Sequence, residues 1–66
     1  MSVLKVVELM ANSKKSWEDA TEKAIKKASK SIKNIKSAYV QDQSVVVNNG
    51  EVSEYRINLK VSFEVK

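Results

Sequence analysis

The sequence contains no cysteine, no histidine and a single glycine. Without cysteine there are no disulfides and no thiolate metal sites, and nothing points to an oxidising compartment. Without histidine as well, Ser-His and Cys-His nucleophile pairs are excluded, as is any zinc site built on imidazole or thiolate. One glycine cannot make a glycine-rich loop that cradles phosphate. No apolar run approaches the ~20 residues of a membrane-spanning helix. Lys5 and Glu8 interrupt the short apolar stretch at the N-terminus, so no signal-peptide pattern is present. The expectation is a cytoplasmic protein that does not engage membranes.

A chain of 66 residues makes one domain, 1–66, near the lower size limit for independent folding. A scaffold this small without covalent or metal staples usually leans on oligomerisation. What the chain does have is alternation. Tyr55, Ile57, Leu59, Val61, Phe63 and Val65 alternate without a break with Arg56, Asn58, Lys60, Ser62, Glu64 and Lys66. A period of two places every large apolar group on one face of a strand. Twelve residues at roughly 3.3 Å each give about 40 Å of strand.

The helix upstream is shorter. Ser16 is the expected N-cap, with Asp19 placed to reach back as in a capping box. Trp17, Ala20, Ala24, Ile25, Ala28, Ile32 and Ile35 step by threes and fours into one stripe, with Trp17 and Ile32 filling its ends. About 15 residues of helix cover only about 22 Å, so this helix cannot roof the final strand. Part of that strand's apolar face must stay wet or be covered by another chain.

Residues 3–10 (VLKVVELM) read as a first strand, 11–16 as a polar connection, and 36–47 as a second strand of poor alternation. Asn48-Asn49-Gly50 is a hairpin signal, because Asn and Gly tolerate the positive φ of tight turns. If the helix returns over the first strand, the third strand runs antiparallel to both others and lies between them. The expected fold is α+β: a β-α-β-β protomer with a three-stranded antiparallel sheet, order 1-3-2, partly wrapping one helix.

The net charge is +4. Lys23, Lys26, Lys27, Lys30, Lys33 and Lys36 follow Glu18, Asp19 and Glu22, an order that suits the helix dipole. With no aromatic among these lysines, they read as a solvated face rather than a nucleic-acid surface. The close acidic groups, Glu18, Asp19 and Glu22, then Glu51 and Glu54, read as helix-dipole and turn chemistry rather than acid–base pairs. An enzyme is not expected.

Four stretches together resemble the dodecins over essentially the whole chain: KVVELMANS (5–13), SWEDATEKAIKKAS (16–29), IKNIKSAYVQDQ (32–43) and EYRINLKVSFEV (54–65). The resemblance implies a hollow homododecamer of cubic symmetry. It also implies a flavin-type pocket between protomers that stores riboflavin or FMN without catalysis. The family's flavin-stacking tryptophan falls at Ser37 and its flavin-bonding glutamine at Arg56, while an acidic residue near the ribityl chain is kept as Asp42. Trp17 matches a separate aromatic position and reads as core filler. Loss of an aromatic platform removes roughly 1–3 kcal/mol of stacking per ring, so flavin binding is expected to be weakened or lost.

Arg56 suits a carboxylate partner across an interface, Asp42 or Glu54, which would close the pocket, or an anionic or phosphorylated ligand. The YRI-LKVSF ending (55–63) is similar to a calcium-binding branch of the family, although Glu8, Asp42, Glu51, Glu54 and Glu64 are scattered and form no EF-hand. The expected function is therefore a non-catalytic shell that binds, stores or sequesters a small ligand. The alternatives are a flavin store, and a structural module docking through a basic outer surface.

Overall fold

Strict alternation builds the central strand. The computed structural model describes residues 3–66, in the order β1 (Val3–Ser13), α1 (Trp17–Ala28), β2 (Ile35–Asn48) and β3 (Glu51–Val65). β3 lies between β1 and β2 and is antiparallel to both, giving the β-α-β-β sheet of order β1-β3-β2. Ile57, Leu59 and Val61 stand opposite Ala11, Leu9 and Val7 of β1. They are buried under Ala20, with Ala24, Ile25 and Trp17 packed around them. Alanine in the middle of α1 lets the helix approach closely. Each fully buried β3 side chain contributes about 1.5–3 kcal/mol.

Element ends differ from the sequence expectation at three places. β1 continues three residues past Met10, because Ala11 still packs on the core and Ser13 is buried. The connection shrinks to residues 14–16. α1 has 12 residues rather than about 15: Ser29 Oγ donates back to Ile25 O at 2.8 Å and the chain leaves the helix in turns. Ile32 thus lies beyond the helix. Ile35 belongs to β2 and packs on the core from there, after Asn34 takes the left-handed φ of 63° needed to reverse the chain. β3 begins at Glu51 rather than Tyr55.

At the start of α1, Ser16 Oγ accepts from Asp19 N at 3.0 Å, the expected cap. The Asp19 carboxylate does not complete a capping box. It accepts instead from Ser13 Oγ and pairs with Lys23 at 3.1 Å, which ties α1 to the end of β1. The Ser13 hydroxyl, and then Lys23, hold its carboxyl below the usual aspartate range.

The β2–β3 turn carries positive φ at Asn49 (52°) and Gly50 (76°), the pattern of a tight hairpin turn whose twist matches the strands. β2 alternates poorly because Lys36 and Gln41 are extra residues in its register against β3, and a third shift, between Val46 and Val47, puts the extra residue, Ser53, in β3 instead. Each shift is a bulge that exchanges the faces of the residues beyond it. The product is a ribbon 50 × 19 × 13 Å. Among the described residues four hydrophobics are buried, while ten large ones, Val6, Met10 and Val47 among them, are exposed. No described helix is long and apolar enough to cross a membrane.

Candidate functional site

The sheet has one face under α1 and one open face, and the bulges decide which side chains the open face displays. Ser37 and Asp42 are five residues apart and would point to opposite sides of a regular strand. The extra residue Gln41 resets the alternation, so that Ser37 pairs with Ser62, Asp42 with Asn58 and Ser44 with Arg56. Asn58 and Ser62 share the parity of Arg56 and oppose the helix-facing Ile57, Leu59 and Val61. All three candidate residues, Ser37, Asp42 and Arg56, therefore stand on the open face, and all are exposed.

They do not meet within one protomer. Their partners on β3 run from position 56 to position 62, about 20 Å of strand. Ser37 hydrogen-bonds the Ser62 hydroxyl, so this end is a hydroxyl pair rather than a ring platform. Tyr39, missed in the sequence reading, stands between Ser37 and Asp42 on the same face, opposite Lys60 and 65% exposed. Its two-residue spacing from Ser37 was the available signal. The bulge that brings Asp42 alongside was not visible.

Arg56 makes no ion pair among the described residues, and the carboxylate expected for it belongs to an interface that one protomer does not contain. Glu54 Oε1 accepts from Asn12 Nδ2, and the ion pairs among the described residues are Lys23–Asp19 and Lys66–Glu64. Trp17 is confirmed as core filler on the helix side. It meets Tyr55 edge-on, ring centroids 5.1 Å apart, and its Nε1 donates to Ser44 O at 3.0 Å. No group of three acidic side chains among the described residues is close enough to hold a metal ion. A concavity of about 400 Å³ lies elsewhere, between α1 and the free edge of β1, lined by Leu9, Ala11, Ala24, Ala28 and the lysines Lys23 and Lys27.

Comparison with known proteins gives one consistent result. The family model described as Dodecin matches residues 3–66. The calcium dodecin of Mycobacterium tuberculosis is 38% identical over 66 residues, all of this chain and 93% of the relative. The crystal structure of that calcium-chelating antigen, described as having a novel calcium-binding site, superposes with a TM-score of 0.84 over 98% of this chain and 93% of its own. A Thermus thermophilus dodecin variant is 27% identical, with a TM-score of 0.93 over 100% of this chain and 98% of its own. The Streptomyces davaonensis dodecin, at 20% identity and a TM-score of 0.93 over 98% and 96%, agrees in fold.

Proposed function

The chain belongs to the dodecin family, and from that premise we propose that it is a non-catalytic homododecameric shell, cytoplasmic, that binds or sequesters a small ligand, with flavin binding weakened. The observation that carries this reading is the excess of exposed over buried large hydrophobic residues. A protomer with so little interior is a poor solitary particle, and burying those faces between copies is the usual remedy. The spread of Ser37, Asp42 and Arg56 along about 20 Å supports the same view. Opposite ends of this row can act on one small ligand only when a second protomer brings its own row alongside, reversed.

The pocket formed in that way has a hydroxyl at Ser37, where a flavin store needs an aromatic platform, and keeps one exposed aromatic, Tyr39, beside it. Ser37 offers a hydroxyl already engaged with Ser62. Arg56 offers a fork of donors suited to a carboxylate or phosphate. Light scattering for mass and an absorbance scan of the purified protein test the proposal together. A particle near twelve times 7.4 kDa without bound flavin is expected. A folded lone protomer overturns it, and yellow protein with quenched flavin fluorescence favours the flavin-store alternative.

Calcium is a second reading, favoured by the similarity to the calcium dodecin. One protomer does not fit the ion, which takes six to eight oxygen ligands, because its acidic residues do not cluster. Carboxylates from several copies would have to converge at a symmetry axis. Calorimetric titration with calcium chloride tests this: heat from the assembled protein and none from dissociated protomers supports it, and no heat from either removes it.

A further inference from the structure

The β2–β3 hairpin outruns its own protomer. β1 pairs with β3 only as far as Ser13 opposite Tyr55, so residues 46–54 continue as a two-stranded tip. Ser53 forms a bulge there, its Oγ donating to Val46 O at 3.1 Å, and the register passes from Val46–Glu54 directly to Val47–Val52. That slip turns Val52 onto the face of Val45 and Val47. The three valines, 49%, 39% and 60% exposed, form an apolar patch on the helix side of the ribbon. α1 does not cover them, since its first residue, Trp17, already lies against Tyr55. Glu51, opposite Asn48, borders the patch.

A receiving surface lies midway along the same molecule, in the concavity between α1 and β1. Its floor is Leu9, Ala11, Ala24 and Ala28, and Lys23 and Lys27 form its rim. Larger side chains at the two helical alanines would fill it. β1 is an edge strand whose outer backbone groups have no partner strand. The β1 segment lining the groove, residues 9–12, is about 13 Å long, as is the part of β3 that extends beyond β1 and pairs with β2 alone, residues 51–54. Lys23 is engaged by Asp19, whereas Lys27 has no ion pair among the described residues.

We propose that this groove receives the β2–β3 tip of a second copy, with Val45, Val47 and Val52 over Ala24 and Ala28 and Glu51 meeting Lys27. The inference rests on the assembled-shell reading and specifies how the copies join. The contact is heterologous, tip of one chain into the middle of the next, and such contacts close into rings when their rotation permits.

The absence of native cysteine makes the test direct. In a Lys27→Cys/Glu51→Cys variant, mild oxidation of the assembled protein is expected to give disulfide-linked multimers on a denaturing gel. A Lys14→Cys/Glu51→Cys control is expected to stay monomeric. Ala28→Trp, which fills the groove from a position outside the buried cluster, is expected to lower the particle mass while circular dichroism stays native. A wild type that is itself a lone protomer removes the shell and this contact together. An assembled wild type whose Lys27–Glu51 cysteine pair links no better than the control overturns this contact alone.

Discussion

Trp17 Nε1 donates to the backbone carbonyl of Ser44 at 3.0 Å, linking the first turn of α1 to β2. α1 otherwise packs mainly on β1 and β3, so this bond fastens the helix to the far strand. Trp17→Phe keeps a ring against Tyr55 and removes the donor. The expected cost is about 1 kcal/mol, the net worth of one hydrogen bond, read as a lower urea midpoint with unchanged slope.

The core leaves little to spare. Leu59 and Val61 have no exposed surface and lie under the close-packed alanines of α1. Leu59→Ala is expected to cost about 2–5 kcal/mol, a large share of the stability of so small a domain. Thermal unfolding followed by far-ultraviolet circular dichroism checks this.

Gly50 holds φ at 76° with nothing within 4 Å of where a Cβ would lie. Gly50→Ala therefore meets no neighbour and suffers only the backbone penalty for a left-handed residue, about 1–2 kcal/mol. The loss is expected as a lower melting temperature with the native spectrum retained below it.

The lowered pKa of Asp19, caused first by the Ser13 hydroxyl and then by Lys23, gives acid sensitivity a definite sign. A carboxyl whose pKa is depressed on folding contributes stability above its unfolded value of about 3.8. That contribution is lost as the pH falls through the lower folded value. Asp19→Asn should thus be less stable than wild type at pH 7, with the gap closing below pH ~4. Urea titrations of both proteins across that range measure it.

At the open face, Ser37→Trp supplies the missing platform. It is expected to tighten riboflavin binding by about 1–3 kcal/mol per stacked ring, seen as flavin quenching on titration. No change in quenching would mean that Ser37 does not face the ligand.

The alternation from Tyr55 to Val65 was enough to identify the central strand and its buried face. Of that row, however, Val65 alone is exposed, and most of the uncovered hydrophobics lie on β1 and β2. Asn49-Gly50 located the turn, and Ser16 the start of the helix. The stripe of threes and fours misled at its C-terminal end: Ile32 and Ile35 keep helical spacing, yet Ile35 reaches the core from a strand. Spacing records which residues seek the interior but not the path by which the chain delivers them.

Local periodicity is written in the order of residues, so the sequence by itself determined strand, helix and turn. The faces of Ser37, Asp42 and Val52 were decided only by the tertiary structure. Each depends on a bulge, and a bulge exists only where two strands distant in sequence are matched against each other. A single inserted residue reverses every side chain beyond it, which no count along one strand can reveal.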